Sequence, residues 1–173
     1  MAARVTGAVA ATSVDTPIGP FTVVAAPSGV LATFFDDDGD RVAELDRLEA
    51  RLGMPIAARG ALASIRREVR AYFAGRLRVF ATPVDLSLAG VGFARRVLEA
   101  TTRVPYGTLV TYGDVADAAG SPRGGRAAGN ALNRCPIELF VPCHRVVHAG
   151  GTLGGYGRYV DLKRWLLRHE GAA

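Results

Sequence analysis

Two short helices with sharply marked ends follow one another in the second half of the chain. Thr111 caps the first of them, and Asp114 follows three positions later in the capping-box arrangement. Gly120 ends that helix, and Ser121 followed by Pro122 is expected to begin the next, with proline at a position where its missing N–H costs nothing. A helix, a short turn containing glycine and a second helix are typical of a helix-turn-helix motif.

The second of these helices is built almost entirely from glycine and alanine. Its small residues, expected to leave one face exposed and bare, are Gly124, Gly125, Ala127, Ala128, Gly129 and Ala131. Arg126 is the single large side chain among them. Each glycine destabilises a helix by about 1 kcal/mol relative to alanine. We therefore expect another backbone to pack closely against this helix and to offset that cost. Two partners fit this pattern equally, the narrow groove of DNA and a neighbouring helix.

A cysteine and a histidine stand next to each other at the end of an apolar run. Cys143 is one of two cysteines and His144 one of three histidines, and Arg145 follows them. A structural cysteine usually has aliphatic neighbours, whereas here a base and a cation flank the sulfur. Since the thiolate is the nucleophilic form of cysteine, the pair indicates nucleophilic chemistry.

The first half of the chain has the pattern of a small α+β unit. Two runs rich in β-branched and aromatic residues, joined by a Pro-Ser-Gly turn, predict a β-hairpin, and two segments with helical periodicity follow. The strands are predicted at 21–26 and 30–35, and the helices at 41–52 and 62–73. The acidic run 36–40 lacks the ligand spacing of a calcium loop and is expected to be a solvated loop that leads into a helix. The domain boundary is predicted within the connector 76–88, which gives domains over 1–80 and 88–173.

Charge is distributed unevenly between the two halves. Residues 1–86 carry ten arginines and ten acidic residues, whereas residues 87–173 carry eleven cations against six acidic residues, so the net charge of +5 lies in the second half. A basic half suits a polyanionic partner, with general solubility as the alternative explanation. No run of about 18 apolar residues predicts a membrane span. The chain has only two cysteines and no evident signal peptide, which favours a reducing cytoplasm. The cysteines do not have the spacing of a zinc site, so no bound metal is expected.

From residue 93 onward the chain resembles the O6-alkylguanine-DNA alkyltransferases. The resemblance is carried by the ordered segments 104–107 (VPYG), 112–116 (YGDVA), 126–129 (RAAG), 141–147 (VPCHRVV), 154–157 (GGYG) and 162–170 (LKRWLLRHE). It implies an α+β fold: a small ribonuclease-H-like N-terminal domain followed by a winged-helix-like C-terminal domain that contains the helix-turn-helix.

The resemblance also implies direct-reversal repair of DNA without a cofactor. O6-methylguanine would be flipped out of the duplex, with O4-methylthymine as a second candidate, and the alkyl group would pass irreversibly to Cys143 in a single turnover. Double-stranded DNA is the implied partner, and the protein is expected to be a monomer, with cooperative binding on DNA left open.

Family roles carry over onto matching positions of this chain. Cys143 would accept the alkyl group, His144 would act as a base through a bridging water, and Glu170 would orient the imidazole. The DNA-binding residues would be Arg126, Tyr112, Ala127, Ala128, Gly129 and Asn130, with Arg126 entering the base stack. The substrate pocket would comprise Tyr156, Gly157, Arg158, Val146 and Val147. Arg145 and Cys135 would have structural roles beside the reactive turn.

Two departures from the family pattern have predicted consequences. Cys135 stands where the family usually has an asparagine that braces the reactive turn, and a thiol is a weak donor and acceptor, so a looser site and slower transfer are expected unless Asn133 substitutes. Oxidation is expected to join Cys135 to Cys143 and inactivate the protein. Arg158 and Tyr159 replace a usual Gly-Gly, which predicts poor acceptance of bulky benzyl adducts.

Three alternatives to an alkyltransferase remain. A non-catalytic alkyltransferase-like protein would bind lesions without transfer, but proteins of that kind lack the acceptor cysteine. A transcription regulator would need base-contacting side chains, and the glycine-rich helix offers only Arg126 and Asn130. A cysteine hydrolase would need an oxyanion hole, for which no motif is evident.

Overall fold

The computed structural model of the chain describes residues 5–36, 40–57, 62–156 and 160–172. The chain divides into two compact units, Met1–Leu88 and Ala89–Ala173. We keep residues 1–80 and 88–173 as the proposed extents of the two domains.

The N-terminal unit is a four-stranded sheet with two helices. Its elements are β1 (Val9–Thr16), β2 (Gly19–Ala26), β3 (Gly29–Phe35), α1 (Arg41–Leu52), β4 (Ile56–Ala57) and α2 (Ala63–Phe73). The strand order is β3-β2-β1-β4, with antiparallel pairs β3-β2 and β2-β1 and a short parallel pair β1-β4. The predicted hairpin and both predicted helices are therefore present.

Aromatic side chains form the core of this unit. Phe21 and Phe35 face each other across β2 and β3 with ring centroids 4.7 Å apart, and Phe73 from α2 meets Phe21 edge-on at 6.5 Å. The inward face of α2 also buries Ile65 and Val69, which follow the helical spacing of the sequence. This packing explains why the amphipathic segment forms a helix here.

Strand β1 was not anticipated from the sequence. It pairs with β2 along nearly its whole length, from Ala10 opposite Ala25 to Thr16 opposite Gly19. Its alanines, serine and threonines give it little hydrophobic contrast, so the pairing with β2 makes it a strand. Of the acidic run 36–40, residues 37–39 lie outside the described residues, and Asp40 precedes α1 without a side-chain cap bond.

The C-terminal unit is mainly helical. Its elements are α3 (Phe93–Thr101), β5 (Val110–Thr111), α4 (Tyr112–Ala118), α5 (Gly125–Leu132), β6 (Val146–Val147) and α6 (Val160–His169). Cys143–Arg145 form one turn of 3-10 helix immediately before β6. β6 pairs in parallel with β5, which brings the reactive turn next to the start of α4.

The predicted cap at the start of α4 is confirmed, whereas the predicted start of α5 at Ser121 and Pro122 is wrong. The Thr111 hydroxyl accepts a hydrogen bond from the Asp114 amide, and the Asp114 carboxylate accepts one from the Thr111 amide, which is a complete capping box. Ser121 and Pro122 do not begin α5, which starts at Gly125 instead. The Gly124 amide donates to the Ser121 carbonyl at 2.8 Å, so these residues form a separate turn between the helices.

Candidate active site

Cys143 lies at the inner end of a cavity in the C-terminal unit. The cavity has a volume of about 600 Å³, and Cys143 is only 4% exposed. The residues that line it are Tyr112, Gly113, Gly125, Arg126, Gly129, Asn130, Leu132, Asn133, Glu138, Cys143, His148, Ala149, Gly155 and Tyr156. The sulfur is thus close to the helix-turn-helix, which contributes residues of both α4 and α5 to the cavity wall.

Glu170 is the hub of a buried hydrogen-bond network behind the sulfur. Its Oε1 accepts from His144 Nε2 at 2.8 Å and from an Arg145 Nη at 2.9 Å. Its Oε2 accepts from Arg145 Nε at 2.9 Å and from the Gly107 amide at 3.1 Å. Because the Glu170 and His144 side chains have no exposed surface, water cannot replace these bonds. The network holds the imidazole in one orientation, and Arg145 also donates to the Val104 carbonyl.

The imidazole of His144 is arranged to accept a proton. Since its Nε2 faces a carboxylate, we assign the ring proton to Nε2, which leaves Nδ1 as an acceptor. No protein group in the described part of the chain bonds to Nδ1, which is buried. Burial lowers the pKa of His144, although the hydrogen bond to Glu170 opposes this effect. The ring is therefore neutral near pH 7.

The Cys143 thiol is held in its protonated form at rest. A hydrogen bond with the Cys135 side chain, and then burial, raise its pKa well above the usual value. The charge of Glu138 adds to this rise, whereas the Lys163 ammonium opposes it. Both cysteines are free thiols. A nucleophilic Cys143 therefore needs a base to remove the thiol proton.

Lys163 is a site residue that the sequence reasoning missed. It is fully buried, and its Nζ donates to the Val146 carbonyl at 2.5 Å and to the Gly155 carbonyl at 3.4 Å. Burial lowers its pKa to about 8, while the neighbouring Cys143 raises it. A signal was available, because Lys163 is the sole lysine of an arginine-rich chain and shares a helix face with Leu166 and Leu167.

Two tyrosines frame the cavity. Tyr156 is 4% exposed, and its ring stands edge-on to His144 with centroids 6.5 Å apart. The Tyr112 ring lies 5.0 Å from the ring of His148, a cavity residue that the sequence analysis did not single out. Gly154 has a φ of +69°, and a Cβ there would stand 2.6 Å from the Tyr112 hydroxyl. Only glycine fits beside this hydroxyl.

Helix α5 uses its small residues in two ways. Gly125 and Gly129 pack against α4. A Cβ added at Gly125 would lie 3.6 Å from the Gly113 amide nitrogen, and one added at Gly129 would lie 3.6 Å from the Tyr112 ring. Ala128 is fully buried, so it does not belong to the exposed face expected from the sequence. Arg126, Ala127 and Asn130 are exposed. Gly125 and Gly129 thus lie on the face that packs against α4, although a Cβ at either position would be in ordinary van der Waals contact. Arg126, Ala127 and Asn130 remain for an external partner.

Two pocket residues expected from the resemblance lie elsewhere. Val146 and Val147 are buried in strand β6 and do not line the cavity, although the Val146 carbonyl holds Lys163. Gly157 and Arg158 fall outside the described residues. In residues 5–36, 40–57, 62–156 and 160–172, no three histidine, cysteine or acidic side chains converge as a metal site requires. No helix in those ranges is long and apolar enough to cross a bilayer.

Comparison with known proteins identifies the family over nearly the whole chain. Residues 92–172 match the family profile described as "6-O-methylguanine DNA methyltransferase, DNA binding domain". Residues 9–86 match its ribonuclease-like domain. The chain belongs to this family. It is therefore an enzyme of the DNA repair methyltransferase class, and the predicted α+β fold with a ribonuclease-like N-terminal domain is confirmed.

Individual relatives align along most of their length. A methylated-DNA–protein-cysteine methyltransferase of Mycobacterium leprae is 38% identical over 91% of this chain and 90% of its own. A protein of Thermus thermophilus named "DNA base-flipping protein" is 42% identical over 91% of this chain and 97% of its own.

A solved structure of the same family has a similar fold. The O6-methylguanine methyltransferase of Mycobacterium tuberculosis is 34% identical, covers 95% of this chain with 93% of its own, and gives a TM-score of 0.78. A structure of the M. tuberculosis protein in complex with DNA gives the same identity and TM-score, over 94% of this chain and 92% of that one.

Proposed function

We propose that this protein repairs O6-methylguanine in duplex DNA by transferring the methyl group to Cys143, once per molecule. The observation that carries the proposal is the buried chain Glu170–His144 behind a cysteine that opens onto a cavity next to the helix-turn-helix. Family membership supports the class of reaction. The cysteine itself supports transfer over lesion binding alone.

The chemistry follows from the geometry of the acceptor. Cys143 is buried and protonated at rest, so its proton must be removed as it attacks. His144 Nδ1 takes that proton through one bridging water, and Glu170 stabilises the imidazolium that forms. The sulfur then attacks the methyl carbon, the C–O6 bond breaks, and its electron pair stays on the purine. The proton finally passes to the guanine, so a thiol and O6-methylguanine become a thioether and guanine.

DNA binding is proposed to use the exposed residues of α5. Arg126, Ala127 and Asn130 face solvent, and Arg126 and Asn130 also line the cavity opening. Arg126 would fill the stack that the flipped base leaves, because extrusion costs a few kcal/mol that an inserted side chain and phosphate contacts can offset. Ala127 allows the helix to approach the groove closely. Tyr112 and Tyr156 would hold the extruded base.

Further parts of the proposal follow from the same reaction. A single acceptor that becomes a thioether has no route back to a thiol, so each molecule acts once. The reaction needs reduced cysteine, which suits the cytoplasm. O4-methylthymine remains a second candidate substrate, and a monomer is the proposed active form, with cooperativity on DNA left open.

Mass spectrometry after incubation with a methylated duplex tests the proposal. Trypsin cuts after Arg134 and Arg145, so Cys135 and Cys143 share one peptide and fragment ions must locate the methyl group. We expect one methyl per protein, on Cys143, and none in Cys143→Ser, with lesion binding retained by that variant. Tight binding of the lesion by the unmodified wild-type protein would instead support the non-catalytic, alkyltransferase-like alternative. A methyl on Cys135 would refute the assignment of the acceptor.

A further inference from the structure

Glu138 places an acidic group in the cavity that holds the reactive sulfur. It is the one acidic side chain among the described residues that line this cavity. Its charge acts directly on Cys143 and raises the pKa of that thiol. A carboxylate is an unexpected neighbour for a group that must become a thiolate, because two negative charges at short range repel each other.

The position of Glu138 is fixed by a tight backbone turn. The Val141 amide donates to the Ile137 carbonyl at 3.0 Å, and the Phe140 amide to the Glu138 carbonyl at 3.0 Å. Leu139 has a φ of +74°, which non-glycine residues rarely adopt, and its side chain is 1% exposed. Burial of Leu139 and Ile137 thus holds the strained turn and directs Glu138 to the cavity side.

Charged and titratable groups reach the sulfur from several elements. They are Cys135 and Glu138 from the segment before the 3-10 turn of Cys143, Tyr112 from α4 and Lys163 from α6. Of these, Lys163 is fixed by two backbone carbonyls and stays beneath the cavity wall. Glu138 is partly exposed and lines the space that a substrate would enter.

We propose that Glu138 selects substrates by the charge of the alkyl group, favouring neutral adducts such as O6-methylguanine over anionic ones such as O6-carboxymethylguanine. This inference rests on the proposed transfer to Cys143. An adduct that ends in a carboxylate would bring its charge into the cavity with Glu138 when the carbon next to the O6 atom meets the sulfur. A methyl adduct brings no charge, so its transfer is slowed only through the raised pKa of the thiol.

Single-turnover rates on two otherwise identical duplexes, one with each adduct, test this selection. The variants are Glu138→Gln, which keeps the shape and removes the charge, and Glu138→Asp, which keeps the charge. Glu99→Gln is the matched control, since Glu99 is a half-exposed partner of Arg95 on α3 and does not line the cavity.

In the wild type we expect faster transfer from the methyl adduct. Glu138→Gln should raise the carboxymethyl-to-methyl rate ratio by about tenfold, the effect of removing one charge several ångströms away in a partly solvated site. The ratio should stay near the wild-type value in Glu138→Asp and Glu99→Gln, and the gain in Glu138→Gln should shrink at high salt. An unchanged ratio in Glu138→Gln, with the methyl transferred normally, overturns this inference alone. Absence of methyl transfer in the wild type overturns the proposed function instead.

Discussion

Replacing Glu170 by glutamine tests the buried network with a change of one atom. The two oxygens of Glu170 accept from four N–H groups, provided by His144, Arg145 twice and the Gly107 amide. Glutamine has one oxygen, and its amide nitrogen is a donor. Either orientation of the glutamine therefore points an N–H group at two other N–H groups, and no rotation of the side chain removes this conflict.

The conflict has both a stability cost and a catalytic cost. Removing one partner from a buried ion pair costs about 3–5 kcal/mol, and the guanidinium of Arg145 is only 8% exposed. If the glutamine oxygen remains near His144, the amide faces Arg145 and Gly107. If it turns away, His144 loses its acceptor at Nε2, the ring proton moves to Nδ1, and the base is lost. We expect methyl transfer to slow about 100-fold, within the range for a general base.

Urea unfolding and single-turnover transfer measure the two costs separately. Glu99→Gln again serves as the control, because the half-exposed ion pair of Glu99 with Arg95 contributes about 1 kcal/mol or less to stability. Transfer is compared at urea concentrations where each variant remains folded. Our reasoning is refuted if Glu170→Gln unfolds within about 1 kcal/mol of Glu99→Gln and transfers methyl at the wild-type rate.

Three further predictions concern the base, the second cysteine and the helix-turn-helix. Because the pKa of His144 is lowered from 6.5, the transfer rate should stay constant as the pH falls to 6.5 and should decrease only below that pH. A decrease in the transfer rate with its midpoint at pH 7 would contradict this. Because the neutral imidazole is favoured by folding, stability should also fall as pH drops below 6.5, seen as a lower urea midpoint. Cys135→Ala should speed transfer at pH 7, because it removes the largest cause of the raised Cys143 pKa. The variant should also resist inactivation by the oxidant diamide. If the variant and the wild type are equally sensitive to diamide, a disulfide between the two cysteines is excluded. Arg126→Ala should reduce the preference for a lesion-containing duplex over an undamaged one about tenfold, as measured by fluorescence anisotropy. Arg123 is exposed but does not line the cavity, so Arg123→Ala should lower the affinity for both duplexes equally.

Local rules predicted the elements whose ends and faces are encoded nearby. The capping box at Thr111 and Asp114 and the hairpin around residues 27–29 depend on contacts within a few residues, and the apolar spacing that marks α2 is also read locally, although its packing on the sheet is not. Strand β1 depends on a distant partner instead, whereas the start of α5 was misplaced by a competing local turn. β1 gains its structure from β2, and the segment from Ser121 to Gly124 prefers its own turn to a helical start.

The glycines of α5 show where a pattern allowed two structures. Bare residues at close spacing predicted a close neighbour, and the sequence left a helix and DNA as equal candidates. Gly125 and Gly129 contact α4, and Ala128 is buried. The outward face keeps only Arg126, Ala127 and Asn130. The period of 3.6 residues per turn divides the two sets, so one face of this short helix packs against α4 and the other is available for the proposed contact with DNA.

The most informative site signal in the sequence lies on α6 and the residue after it. Lys163, Leu166, Leu167 and Glu170 are spaced i, i+3, i+4 and i+7, which places all four on one helical stripe, and all four are buried. Leucines at these positions predict that the stripe faces the core. A lysine and a glutamate on the same stripe must then be buried too, which is costly unless each charge has partners. Partners for Glu170 could not come from its own helix. The only cation on the same stripe is Lys163, which lies two turns away and is too far to contact the Glu170 carboxylate. Apolar periodicity therefore predicts a buried carboxylate that needs distant donors, and His144 with Arg145 meets that need.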